Sequence, residues 1–346
     1  MQQTIDIRDL SFEDLEKEII AMGEPKFRAK QIWQWLWQKS VFSFSEMLNL
    51  SKELRETLSE KFSFHTIKIN TTQISRDKTI KVVFELHDGN KVEGVLIPTL
   101  TRLTACISCQ VGCSLDCKFC ATGYLKRERN LTAGEIFDQI VLLNRLSQEH
   151  FKENLDNIVY MGMGEPLLNY NSVFDSVKRV TSIDGLGLSA SRITISTAGI
   201  AKMIKKMADD GFKTNLALSL HAATNEKRRK IMPITDSNPL ELLAESLNYW
   251  YDITGIRPTL EYTVIAGVND DAESERELVK FAKLFPSKIN LIEYNPISLA
   301  DYKSTSRLNQ FAQYVAKQNL IVNVRRSRGK DIDAACGQLA LKSIKN

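Results

Sequence analysis

The sequence contains no apolar run long enough to span a membrane, and its first residues are polar and acidic. A membrane helix needs about 20 consecutive apolar residues, and a secretory signal needs an apolar core near its start. Because neither is present, we expect a cytoplasmic protein that has no membrane partner. The composition, 43% hydrophobic and 25% charged, is typical of an ordered globular chain.

A large excess of charge is also lacking. Lys and Arg total 46 against 42 acidic residues, and a formal net charge of +4 does not indicate nucleic-acid binding by itself. Short basic runs do occur at 126–129, 227–230 and 325–330. Each run is either a solvated face or part of an RNA-binding surface. Since each follows a predicted strand, we expect the three runs to surround one opening.

Cysteine is scarce outside one short segment. Of the six cysteines, only Cys336 lies outside residues 106–120. An extracellular disulfide framework would spread its cysteines along a short chain, so this distribution does not favour one. The crowding instead favours a metal site in a reducing compartment.

Residue patterns predict an α/β fold with a small helical domain at the amino-terminal end. Residues 1–75 are predicted as helices at 12–23, 25–40 and 44–62, and residues 76–98 as a β-hairpin that turns at Asp88-Gly89. Residues 99–333 are predicted as the core domain and residues 334–346 as a tail. The predicted core strands are 103–107, 157–161, 192–196, 215–219, 259–265 and 288–292, with a further run at 320–324. Six repeated β-then-α units predict a parallel sheet that is curled into a partial (β/α)6 barrel.

Three cysteines form the motif Cys113-x-x-x-Cys117-x-x-Cys120. Three thiolates at these spacings can bind three irons of a [4Fe-4S] cluster and leave the fourth iron open for S-adenosylmethionine (SAM). The alternative is a structural zinc site, which typically uses two Cys-x-x-Cys pairs about 15 to 20 residues apart. Cys106 and Cys109 form such a pair, but it lies too near Cys113, so the spacing favours the cluster.

At these residues the sequence resembles the radical SAM superfamily. The motifs QVGCSLDCKFCATG, MGMGEPLLN, ITISTAGI, LSLHAA and DIDAACGQLA are similar, more narrowly, to the RlmN family of dual-specificity adenine carbon-2 methyltransferases of 23S rRNA and tRNA. This resemblance covers residues from about 90 to 340. It implies a [4Fe-4S] cluster, two SAM molecules per turnover, 23S rRNA and tRNA as substrates, a flavodoxin-type electron donor and a monomer. The domain of residues 1–75 would contact RNA.

The resemblance also implies a set of SAM contacts, most of which follow predicted strands. They are Gly164, Glu165, Ser196, Ser219, Leu220, His221 and Asn295. Because the carboxyl ends of parallel strands meet at one end of a β/α barrel, we expect a single cofactor pocket. For His221, a structural role at a strand end is an open alternative.

Two further cysteines and one glutamate match the residues that perform the family's chemistry. Carbon 2 of adenine is electron-poor and lacks the nucleophilicity for a simple methyl transfer. The resemblance implies that one SAM methylates Cys336, that a second yields a radical which takes hydrogen from this methyl group, and that the methylene radical adds to adenine. Glu93 would then remove the ring proton, and Cys106 would attack the thioether sulfur to form a transient disulfide with Cys336.

Other interpretations stay open. Cys336 is alternatively a buried free cysteine, and Glu93 a strand residue exposed to water. Cys109 stands where the family usually has serine, and its role is open. A carbon-8 adenine rRNA methyltransferase is a second candidate function, although the EPLLN motif favours carbon 2. A non-catalytic metal-binding RNA regulator is a third.

Overall fold

The amino-terminal part of the chain is helical in the computed structural model, which describes residues 4–341. Its helices are α1 (Phe12–Ala21), α2 (Phe27–Trp37) and α3 (Lys52–Lys61). The predicted helix 44–62 is instead a short 3-10 turn, Phe44–Glu46, followed by α3. The break arises because Ser51 caps α3, its hydroxyl oxygen accepting a hydrogen bond from the Leu54 amide. Trp33 and Trp37 are buried, whereas Trp35 is only partly buried.

Four antiparallel strands connect this helical part to the core. They are β1 (Lys68–Ile74), β2 (Ile80–Glu85), β3 (Lys91–Pro98) and β4 (Leu103–Cys106). The predicted hairpin is present: β2 pairs with β3, and Gly89 adopts the positive φ (82°) that its turn requires. Strand β1 was not predicted and lies after the last predicted helix, within the range 1–75 assigned to the helical domain. Its residues are half-exposed or exposed, so it lacks the alternating apolar pattern on which strand prediction depends.

The core is a parallel sheet with helices between its strands, as predicted. The remaining strands are β5 (Gln110–Val111), β6 (Arg129–Asn130), β7 (Asn157–Tyr160), β8 (Ile193–Thr197), β9 (Asn215–Ser219), β10 (Thr259–Val264), β11 (Lys288–Glu293) and β12 (Ile321–Arg325). The remaining helices are α4 (Ala133–Phe151), α5 (Tyr170–Thr181), α6 (Ala201–Asp209), α7 (Asn225–Ile231), α8 (Leu240–Thr254), α9 (Ala272–Ala282) and α10 (Leu308–Ala316). Helices α7 and α10 were not predicted.

The strand order confirms the partial barrel. Within residues 4–341 the main sheet has ten strands in the order β1-β2-β3-β4-β7-β8-β9-β10-β11-β12. From β4 onward every neighbouring pair is parallel. Over the same residues β12 pairs only with β11, so the sheet stays open rather than closing into a barrel.

Buried contacts attach the amino-terminal helices to the core. Arg8 donates a hydrogen bond of 2.7 Å to Asp138 on α4, and both side chains are nearly inaccessible to solvent. The rings of Trp37 and Phe137 meet edge to face at 5.2 Å. In the described part of the chain, none of the helices combines the length and the apolar character that crossing a bilayer would require.

Candidate cofactor and substrate site

The carboxyl ends of the core strands surround a pocket, which we call the thiol pocket because Cys113, Cys117 and Cys120 line it. It contains about 1010 Å³ of space, counting the part that is open to solvent. Six of the seven residues predicted as SAM contacts line it: Gly164, Glu165, Ser196, Ser219, His221 and Asn295. Leu220 does not, because its side chain is buried and its backbone bonds to Glu261 and Arg228.

The three thiols of the motif lie in one loop that faces this pocket. Burial raises the pKa of Cys113 to about 11 and raises the pKa of Cys117 and Cys120 as well. The thiols also raise one another's pKa where they are close: Cys120 acts on Cys113, and both act on Cys117. Thiolates crowded in this way need cations to stabilise them, as iron would. Among residues 4–341, no three His, Cys, Asp or Glu side chains converge to hold a single metal ion.

Buried polar groups also line the thiol pocket. Glu165 is buried and accepts hydrogen bonds from the Leu167 amide at 2.9 Å and the Ala198 amide at 2.7 Å. The Asn295 Oδ1 atom is buried and has no partner among the described residues, while its Nδ2 atom donates to the Cys336 carbonyl. An unpaired buried acceptor in a pocket wall is costly unless a ligand donates to it.

Backbone geometry brings Gly164 close to its neighbours. Its φ is +96°, and a Cβ atom there would lie 2.5 Å from the Gln110 side chain. Only glycine fits this position, so the peptide bond rather than a side chain faces the pocket.

His221 fits both roles that the sequence left open, a structural role at a strand end and a contact to the cofactor. Its Nδ1 atom accepts a hydrogen bond of 3.0 Å from the Thr263 amide, which is a structural role. The same ring lines the thiol pocket and contacts Phe119 edge to face at 4.6 Å. Burial, together with the positive charge of Arg228, lowers the pKa of His221 to about 3. The imidazole is therefore neutral near pH 7, with its proton on Nε2.

A second pocket, which we call the side pocket, adjoins the first. Its lining includes Cys106, Arg325 and Cys336, of which Arg325 and Cys336 also line the thiol pocket. Cys336 is exposed as a residue, although burial still raises the pKa of its thiol. Burial and the nearby Cys336 raise the pKa of Cys106 to about 12, while Arg325 opposes both effects. Cys336 thus lies where the two pockets meet, and Cys106 faces it from the side pocket.

The segment that carries Cys336 is held in place by the loop of the three thiols and by Glu93. The amide of Ala121 donates to the Gly337 carbonyl at 2.7 Å. The Glu93 carboxylate accepts from the Ala340 amide and from the Lys81 ammonium, each at 2.9 Å. Glu93 is only 1% exposed, so the interpretation as a water-exposed strand residue is wrong. It lies beneath the tail and lines neither pocket.

Cys109 takes no part in either pocket. Its side chain is buried, and its thiol donates to the Met163 carbonyl at 3.7 Å. The arrangement is that of a core cysteine and gives no support to a role as a cluster ligand.

The basic runs do not form the predicted ring of unpaired positive charges around one opening. In the run 227–230, Arg228 is fully buried, Lys227 pairs with Asp271 at 2.8 Å, and Lys230 pairs with Glu226 at 2.8 Å. In the run 325–330, by contrast, the three arginines contribute to the side pocket: Arg325, Arg326 and Arg328. Sequence patterns did not distinguish the two cases, because a buried arginine and an exposed one look alike in a basic run.

Comparisons with known proteins agree with this geometry. Residues 5–63 match the family profile described as the ribosomal RNA large subunit methyltransferase N-terminal domain, and residues 107–279 match that of the radical SAM superfamily. A probable dual-specificity RNA methyltransferase RlmN of Cytophaga hutchinsonii is 55% identical, over 98% of this chain and 93% of that protein. A protein of the same description from Christiangramia forsetii is 52% identical, over 98% and 97%. The crystal structure of a radical SAM methyltransferase from Sphaerobacter thermophilus superposes with a TM-score of 0.92 at 37% identity, covering 97% of this chain and 99% of that one.

Proposed function

The chain belongs to the RlmN family of radical SAM RNA methyltransferases, and from this premise we propose that it methylates carbon 2 of adenine in 23S rRNA and tRNA. The tRNA target would be the adenine just 3′ of the anticodon. One observation carries the proposal: Cys336 lies between a pocket lined by three thiols and a pocket lined by Cys106. A methyl carrier must meet the cofactor on one side and the base on the other.

The thiol pocket would hold both cofactors. Cys113, Cys117 and Cys120 would bind a [4Fe-4S] cluster, and the proposed SAM contacts are Gly164, Glu165, Ser196, Ser219, Leu220, His221 and Asn295. When bound, the cluster and two SAM molecules per turnover supply one methyl group and one hydrogen-abstracting radical. The Asn295 Oδ1 atom would accept a hydrogen bond from the cofactor, which would give this buried oxygen a partner. Leu220 would contribute through its backbone.

In the side pocket, Cys336 would act as the methyl carrier and Cys106 as the resolving thiol. Since a thiolate is the nucleophile, the guanidinium of Arg325 assists both residues by lowering the pKa of each thiol. After the base is attached, the Cys106 sulfur attacks the Cys336 sulfur. A disulfide bond forms, the bond between the Cys336 sulfur and the methylene carbon breaks, and the electron pair stays on that carbon, which takes up a proton to become the methyl group of the product.

Glu93 would be the proton acceptor for the adenine ring. Its two oxygens already accept hydrogen bonds from Lys81 and Ala340, so the carboxylate is held in a fixed, buried position. Displacement of the Ala340 amide would free one oxygen for the proton. Movement of the tail is therefore part of the proposed reaction.

RNA would approach from the side pocket. The apolar side chains of Val95 and Ile97 would cover a flipped adenine, while Arg326 and Arg328 would contact the flanking phosphates. We assign residues 1–75 to an RNA-contacting domain, 76–98 to the hairpin linker, 99–333 to the radical SAM core and 334–346 to the tail. Residues 1–3 and 342–346 of this division lie outside the described part. A flavodoxin-type donor, a monomeric state and a cytoplasmic location complete the proposal.

A product assay tests this function. The chain would be reconstituted anaerobically with iron and sulfide and incubated with SAM, a reductant and either unmodified tRNA or a 23S rRNA fragment. Mass spectrometry of the digested RNA is expected to detect 2-methyladenosine with both substrates. Detection of 8-methyladenosine would favour the carbon-8 enzyme, and no methylated base together with no 5′-deoxyadenosine would favour a non-catalytic regulator.

A further inference from the structure

Arg228 is the one residue of the run 227–230 that is fully buried. It lies on α7, whose carboxyl end contacts the loop that carries Cys117. The adjacent Arg229 has a side chain that is 51% exposed and pairs with Asp236, so two neighbouring arginines occupy opposite environments. This contrast separates the effect of a buried charge from that of an exposed one.

The guanidinium of Arg228 bonds only to uncharged acceptors. It donates to the carbonyls of Leu220 at 3.1 Å, Ser219 at 3.3 Å and Ala198, and to the Thr235 hydroxyl at 2.9 Å. Among the residues of the described chain, no carboxylate lies within ion-pair distance of it. A buried charge without a counterion is strongly unfavourable, so its presence calls for a compensating negative charge.

We expect the negative charge that compensates the Arg228 guanidinium to lie at Cys117. The Arg228 guanidinium donates to the Ala198 carbonyl, and Ala198 belongs to the buried cluster against which Cys117 packs. The surroundings are apolar, since Cys117 packs on a small cluster that includes Ile231 and Met232. The Lys118 amide also donates to the Ile231 carbonyl at 2.9 Å, which fastens the loop to the end of α7. Low polarity makes the interaction between charges at this place strong.

We propose that Arg228 is a positioning residue whose buried positive charge offsets the negative charge of the [4Fe-4S] cluster at Cys117 and raises the reduction potential of that cluster. The inference rests on the proposed function in one respect, that a cluster binds these thiols. An oxidised cluster with three thiolates carries one net negative charge. Accepting one electron from an external reductant adds a second. A nearby buried cation stabilises the reduced form more than the oxidised form, because the reduced form has the larger negative charge.

The same guanidinium also holds the cofactor-facing loops. Its carbonyl acceptors lie at the carboxyl ends of β8 and β9, where Ser196 and Ser219 line the thiol pocket. A purely structural role would lower cluster retention and SAM affinity without changing the potential. The reduction potential is thus the measurement that separates the two roles.

The test compares full-length, anaerobically reconstituted wild type with Arg228→Gln, Arg228→Lys and the matched control Arg229→Gln. Iron and sulfide per chain are measured first. Dithionite titration followed by electron paramagnetic resonance then gives the midpoint potential. We expect Arg228→Gln to shift the potential to more negative values, Arg228→Lys to retain most of the wild-type value, and Arg229→Gln to match wild type because solvent screens its charge.

Each outcome decides the proposal. An unchanged potential in Arg228→Gln, or an equal shift in Arg228→Gln and Arg228→Lys, would overturn it. If Arg228→Gln retains no iron, retention by Arg228→Lys at the wild-type potential would support a charge effect, and loss from both would show a scaffold role only. A wild-type chain that binds no cluster would overturn the proposed function itself, which is a separate result.

Discussion

Cys336 lines both the thiol pocket and the side pocket, as Cys120 also does, and the buried Cys106 lines the side pocket. The two differ in surroundings. Cys336, the proposed carrier, is the more exposed residue, although burial also raises the pKa of its thiol. Cys106, the proposed resolving thiol, is buried, and its pKa is raised to about 12. Such a thiol reacts only when a neighbouring group or a bound substrate favours the thiolate, which suits a residue that acts last.

Replacement of Cys106 with alanine is expected to stop the reaction after the base has been attached. No thiol would then be available to attack the Cys336 sulfur, so tRNA should stay covalently bound to the chain. Denaturing gel electrophoresis with labelled tRNA measures this product. Cys109→Ala is the matched control, since it removes another buried cysteine that lines neither pocket. Free methylated tRNA from Cys106→Ala would contradict the assigned role.

His221 predicts a pH dependence of stability. Its pKa is about 3 in the folded chain against an ordinary value of 6.5, so the unfolded chain takes up a proton first as the pH falls. This contribution to stability is complete above pH 6.5 and is lost as the pH falls toward 3, at up to about 1.4 kcal/mol per pH unit. Urea unfolding of His221→Asn is expected to show a shallower decline over this range.

An equal pH slope in wild type and His221→Asn would contradict the assignment of a neutral buried imidazole. His150→Asn serves as the control because His150 is exposed, and water surrounds such a ring in both states. That variant is expected to keep the wild-type slope.

At the scale of elements, the first turn of the chain is fixed to α4 by a buried charge. Arg8 lies between Asp6 and Asp138, at 3.4 Å and 2.7 Å, and all three side chains are at most 5% exposed. Gly134 on the same helix leaves room for the guanidinium, since a Cβ atom there would lie 2.9 Å from its central carbon. The helical domain therefore has one defined orientation on the core.

Arg8→Met is expected to destabilise the chain by about 3 to 5 kcal/mol, because it leaves the buried carboxylate of Asp138 without a counterion. The free energy of unfolding in urea measures the effect. The double variant Arg8→Met with Asp138→Asn should recover part of the loss. Lys17→Met, which breaks an exposed pair with Asp14, is expected to change stability very little. Equal effects of Arg8→Met and Lys17→Met would contradict a structural role for the buried pair.

At the scale of the whole molecule, the sequence patterns correctly predicted those helices and strands whose buried side chains are apolar. The predicted strand at 215–219 coincides with β9 because its residues Leu216 and Leu218 are fully buried. Helix α7 was missed for the opposite reason. Its inward-facing residues are Ile231 and the charged Arg228, so no apolar periodicity marks it.

The contacts of the tail could not be predicted from local patterns. The hydrogen bond from Ala340 to Glu93 joins residues 247 positions apart, and the contact between Asn295 and Cys336 depends on the sheet bringing separate loops together. Motif resemblance supplied the candidate residues. Only the fold supplied the arrangement in which Cys336 separates two pockets and Arg228 carries an unpaired charge.

The most direct measurement of the central claim follows a labelled methyl group. Reconstituted chain is incubated with SAM whose methyl group carries a stable isotope, digested, and its peptides are analysed by mass spectrometry before and after tRNA is added. We predict label on the peptide that contains Cys336, transfer of that label to 2-methyladenosine, and no labelled RNA from Cys336→Ala. Labelled RNA from Cys336→Ala, or label on a residue other than Cys336, would contradict the account.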